Sequence, residues 1–184
     1  DSPINETPRK SKHWSDRTRF KHVNGAKPWG ALAKAEYIAR VHNEFDVRLE
    51  DIPRLIGDTH TTVRRLYRGL MVLQQAEKDG LYDLDDRANK RLFFSHLYTG
   101  LGYPGFQQFL GLKEETSYKP TPVRGPANKR HLGQLCIWLF GSKENGKQSL
   151  IKRQNPDLRR LDEALQAERG RDALTSGLPL DLAF

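Results

Sequence analysis

The chain has 184 residues, 36% of them hydrophobic and 29% charged, with a net charge of +8 at pH 7. That is room for one domain or two small ones with a modest core. Its longest apolar run, residues 135–140, is far too short to span a bilayer, and the lone Cys136 excludes an internal disulfide or a cysteine-built metal site and suits a reducing, cytoplasmic setting. The basic charge is unevenly placed: residues 1–30 carry 7 basic and 3 acidic groups, and residues 116–160 carry 10 and 2. Such blocks suit a polyanionic partner.

The chain opens on Asp1-Ser-Pro-Ile with neither Met nor a signal-peptide pattern, so it is expected to be part of a longer protein. Residues 1–27, with Pro3, Pro8 and few apolar positions, read as a basic arm or linker. A first helix is expected over 29–45, started by Pro28 and carrying Leu32, Ala35, Ile38, Ala39 and Phe45 on one face. A short helix over 49–56 ends at Gly57, and a third runs over 60–78, capped by Asp58 or Thr59 and closed by Gly80. A fourth is expected over 86–98 with Asp85 as its cap, then a glycine-rich turn and a short helix over 106–110. Residues 113–127, with Pro120, Pro122 and Pro126, read as a linker. Beyond it, helices are expected over 129–140 (cap Asn128), 156–168 (cap Asn155, Pro156 first) and 171–176. The expected fold is therefore all-α: a helix-turn-helix domain over 28–112 and a smaller helical domain over 128–184.

The segment from Leu49 to Arg68 carries the functional reading. A helix-turn-helix needs apolar residues where its two helices cross and a residue that tolerates positive φ at the turn. Ile52 and Ile56 meet the first need on one helix, Val63 and Leu66 on the other, and Gly57 meets the second. The second helix must then present side chains to base edges and phosphates. Thr59, His60, Thr61, Arg64, Arg65 and Arg68 are the candidates, since arginine reads guanine bidentately and Thr and His suit phosphates or single base contacts. Pro53 is tolerated only in a first helical turn, so the short helix is expected to start near Asp51.

The stretch from Arg19 to Ile38, with Lys34-Ala-Glu-Tyr-Ile38 and the helix-turn-helix behind it, resembles the region that follows the N-terminal domain of ParB-like proteins. The resemblance covers residues 19–80. It implies DNA binding and, in full-length relatives, a preceding ParB/sulfiredoxin-like domain; the arginine-rich nucleotide motif of that domain is absent from this sequence, so nucleotide hydrolysis or nuclease activity does not carry over.

Other chemistry finds little support. Gly100-Leu-Gly-Tyr-Pro-Gly105 matches a dinucleotide loop literally, but a helix precedes it and Pro104 sits inside it, so it reads as a cap and turn. The six histidines show no paired ligand spacing, and Cys136 lies in an apolar run. Phe93, Phe94, Tyr98, Tyr103, Phe106 and Phe109 suggest core packing ahead of base stacking. Lys147, Lys152, Arg153, Arg159 and Arg160 are candidate phosphate contacts, or a solvated helix face with Arg159 and Arg160 paired to Glu163. The expectation is a cytoplasmic, non-enzymatic DNA-binding module without cofactor or metal. Its partner would be double-stranded DNA, with a homodimer as a compatible assembly and no membrane contact. Two alternatives stand beside it: the DNA-targeting part of a larger nuclease or nucleotide-switching protein, and an interaction or dimerisation module with a degenerate helix-turn-helix.

Overall fold

The computed structural model describes residues 30–113 and 118–183; the expected arm over 1–27 lies outside them. Among the described residues the fold is all-α. Its eight helices are α1 (Ala31–Phe45), α2 (Ile52–Ile56), α3 (His60–Lys78), α4 (Phe94–Gly100), α5 (Pro104–Leu110), α6 (Pro126–Phe140), α7 (Gln154–Gln166) and α8 (Glu168–Thr175). Short 3-10 turns occupy Leu84–Asp86 and Leu180–Leu182, and a single isolated antiparallel bridge pairs Ser142 with Lys147. No helix among the described residues is long and apolar enough to cross a membrane.

Helix α3 is the axis of the N-terminal half. Its buried residues Val63, Leu66, Leu70 and Leu73 recur at the 3–4 residue spacing of one helical face, and others such as Val72 and Ala76 bury a second. Helix α1 lays Ala35, Ile38 and Ala39 against it, α2 crosses its start, and α4 and α6 pack on its remaining sides. Helix α5 pairs with α7, and α8 with the final 3-10 turn folds back on α7. The buried residues form one cluster running from Ala35 to Ala183, so the segments on either side of the proline-containing stretch share a core.

The fourth helix differs from expectation: residues 87–93 are not helical, Asp86 ends the 3-10 turn, and α4 starts only at Phe94. The expected cap Asp85 lies within the 3-10 turn, which Asp83 caps by accepting the Asp85 N–H at 2.8 Å, and the cap position of α4 is Phe93. The Asp86 carbonyl accepts the Lys143 N–H at 2.7 Å, its carboxylate accepts the Glu144 N–H at 2.8 Å, and the Ala88 N–H donates to Phe140 O at 3.0 Å. Backbone groups committed to partners so far along the chain are not available for a helical ladder. Helix α6 begins three residues early because Pro126 fits the first helical position, where its missing N–H costs nothing. Asn128 is thus inside the helix, its amide donating to Arg124 O at 3.0 Å. At α7 Asn155 has the non-helical backbone (φ −112°, ψ 126°) expected of a cap position before Pro156, and the buried Asp157 accepts the N–H groups of Lys152 and Arg153 at 2.9 and 2.8 Å, which fastens the preceding turn to the helix.

Candidate nucleic-acid interface

The turn between α2 and α3 is built as the sequence requires. Pro53 sits in the first turn of α2, two residues after the cap position Asp51. Gly57 adopts φ 65°, a left-handed conformation in which a side chain would be strained, and its N–H donates to Pro53 O. Thr59 caps α3, accepting the Thr62 N–H at 3.2 Å. The Asp58 carboxylate accepts the Thr59 N–H at 2.7 Å and pairs with the Lys34 ammonium of α1, which fastens the turn to the helix behind it. Partial burial alone would raise the Asp58 pKa; the Lys34 and Thr59 hydrogen bonds outweigh it and hold the carboxyl below its usual value. Ile52 and Val63 are fully buried at the crossing and Leu66 nearly so.

On the outer side of α3, Thr59, His60, Thr61 and Arg65 are exposed, while Arg64 and Arg68 are half-buried. The six predicted contacts divide by partner. The His60 ring Nδ1 lies 2.6 Å from the Tyr118 hydroxyl, and the Arg64 guanidinium stands over the Tyr118 ring at 5.8 Å. Arg65 stands over Tyr98 of α4 at 5.6 Å. A guanidinium resting on a ring face is held in place and loses some of its freedom. Arg68 has a different occupation: it donates to the carbonyls of Leu101 and Lys113, each at 3.2 Å, and so ties the turn after α4 and the chain after α5 to α3.

Tyr118 carried no signal in the sequence; it stands in the stretch read as linker. From Tyr118 onward that stretch is a strap lying along α3. Gln75 of α3 grips it by accepting the Val123 N–H at 2.9 Å and donating to Val123 O at 2.8 Å, with Val123 itself buried. Between strap and helix lies a cleft of about 1060 Å³, walled by Leu49, Tyr67, Met71, Pro120 and Pro122 among others.

The candidate phosphate contacts are scattered over several environments. Lys147 lies in the bridged turn beside residues 86–88. Arg160 is paired with Asp181 at 2.9 Å, not with Glu163, and Arg159 stands over Tyr103 at 5.5 Å. Lys152 and Arg153 project from the exposed turn before α7. Of the aromatic set, Phe94, Phe106 and Phe109 are buried, whereas Tyr98 and Tyr103 carry arginines on their faces. Gly100 ends α4 and Pro104 opens α5, so the Gly100–Gly105 stretch is the cap and turn its residues suggest. Burial pushes the Cys136 thiol up to about 12, away from nucleophile chemistry. Among the described residues no cluster of His, Cys, Asp and Glu could hold a metal ion. No family model, curated protein or solved structure matches the chain to a significant degree.

Proposed function

We propose that the chain is a double-stranded DNA-binding module in which α2, the Gly57 turn and α3 form a helix-turn-helix whose first two α3 turns enter the major groove. The observation that carries the reading is the sorting of side chains about that turn: Ile52, Val63 and Leu66 point inward, while Thr61 and Arg65 remain exposed on the opposite side of α3. Arg64 and Arg65 contact bases and phosphates, and Thr59, His60 and Thr61 make single base contacts or phosphate contacts near the helix start, where the dipole favours a phosphate. Arg68 supports this surface from behind. The role is partition-like or regulatory, in keeping with the ParB-like resemblance of residues 19–80, or that of a DNA-targeting part within a larger protein.

The test is fluorescence anisotropy with a labelled duplex of mixed sequence, comparing the wild type with Arg64→Ala/Arg65→Ala. Each lost arginine contact is worth about 1–3 kcal/mol, so the pair should weaken binding at least tenfold. A second reading, a protein-interaction module, is favoured by the seating of Tyr118 on His60 and Arg64. Absence of any salt-sensitive duplex binding by the wild type decides for that reading.

A further inference from the structure

We infer that the DNA surface does not end at α3 but continues over α4 to the turn before α7, as a basic strip of Arg65, Arg91, Lys152, Arg153 and Arg159 that takes the phosphate backbone flanking the groove occupied by α3. The inference rests on the recognition-helix reading and adds a second, sequence-independent contact region to it. Arg65 lies on the Tyr98 ring. Ser95 is three residues before Tyr98 on α4, a spacing that makes them surface neighbours about 5–6 Å apart at Cβ. The Ser95 hydroxyl donates to Gln154 at 3.2 Å, so the first residue of α7 abuts the same α4 surface. Lys152 and Arg153 immediately precede Gln154 and are exposed. Arg91 lies over Phe93 at 5.3 Å, just ahead of α4, and Arg159 follows further along α7 on Tyr103.

Two basic groups that are 87 residues apart in sequence, Arg65 and Lys152, are therefore brought to one side of α4 by two contacts, Arg65 on Tyr98 and Ser95 with Gln154. The five basic groups of the strip outnumber the three carboxylates of α7, Asp157, Asp162 and the exposed Glu163. Asp157 is buried and accepts the Lys152 and Arg153 N–H groups, and Asp162 accepts the Gly105 N–H at 2.7 Å and a Gln166 amide hydrogen at 3.1 Å. Charges presented in this way on helix starts and turns, without base-reading geometry, suit phosphates and set register and salt dependence. They fit a duplex that runs on past the α3 contact.

The experiment is a salt titration of duplex binding by the full chain. It compares the wild type, Lys152→Ala/Arg153→Ala, the charge-conserving Lys152→Arg/Arg153→Lys, and Arg64→Ala/Arg65→Ala. The inference predicts that the alanine pair at 152 and 153 lowers the slope of log affinity against log salt by about 2, equally on duplexes of different sequence. The charge-conserving pair should keep the wild-type slope, which separates lost charge from lost fold. A wild-type slope in Lys152→Ala/Arg153→Ala, alongside weakened binding in Arg64→Ala/Arg65→Ala, overturns the strip and leaves the recognition helix standing. Wild-type binding by Arg64→Ala/Arg65→Ala, or no duplex binding by any chain, overturns the recognition-helix reading and the strip with it.

Discussion

Gly69→Ala is the sharpest probe of how α3 and α4 meet. A Cβ at position 69 would lie 2.6 Å from Tyr98 Cβ, 3.3 Å from Tyr98 Cα and 3.1 Å from the Phe94 ring. Carbon atoms in contact prefer about 3.5–4.0 Å, so α4 would have to retreat by roughly 1 Å. Tyr98 cannot relieve this by changing rotamer, because Cβ and Cα do not move with χ1. Two effects oppose each other. Replacing glycine by alanine inside a helix gains about 1 kcal/mol, and overpacking of a filled interface costs about 1–3 kcal/mol. With Tyr98 Cβ and backbone both in the way, the cost falls in the upper part of that range, and the net loss is about 1–2 kcal/mol. For a chain of this size that lowers Tm by about 2–8 °C, measured by thermal unfolding followed by circular dichroism. Because Arg65 rests on Tyr98, duplex binding should weaken as well. A variant that melts at or above the wild-type temperature refutes the claim that α3 and α4 meet at Gly69.

Two further predictions concern the strap and the α4–α7 junction. Gln75→Ala removes both hydrogen bonds to the Val123 backbone and should cost about 2 kcal/mol, with faster amide exchange at Val123; unchanged exchange there would show that Gln75 does not hold the strap. His96 is buried against Phe93 and its Nδ1 lacks a hydrogen-bond partner among the described residues; burial lowers its pKa below the usual 6.5, with Asp157 pulling the other way. The folded state therefore resists a proton that the unfolded chain binds, so His96 lowers stability as pH falls from 6.5 through its depressed folded pKa, while above 6.5 both states are neutral. Denaturant titrations across that window should lose this component in His96→Leu; an identical pH dependence in wild type and variant contradicts it.

How much of this was legible in the sequence follows from where each feature gets its partners. The α1–α3 unit could be read because its signals are local: the apolar spacing of Ile38, Val63 and Leu66, a proline confined to a first turn, and a glycine that must take positive φ. The start of α4 could not, because Asp86 and Ala88 are held by Lys143, Glu144 and Phe140 from far along the chain. Arg68 looked like a groove contact by helical position, yet its guanidinium is drawn to two carbonyls that only the folded chain brings near. Tyr118 and Gln75 share that origin: an aromatic ahead of two prolines and a glutamine on a helix carry no local mark of a strap and its clasp.

The central claim, that the first turns of α3 face DNA bases, is tested most directly by covalent trapping. A Thr61→Cys chain is mixed with a duplex carrying a disulfide-tethered thiol on a base, and native Cys136, fully buried with its thiol pushed up to about 12, stays silent. The account predicts efficient cross-linking of Thr61→Cys and none of Ser176→Cys, an equally exposed position at the end of α8. Equal trapping at both positions, or trapping only at Ser176→Cys, would contradict it.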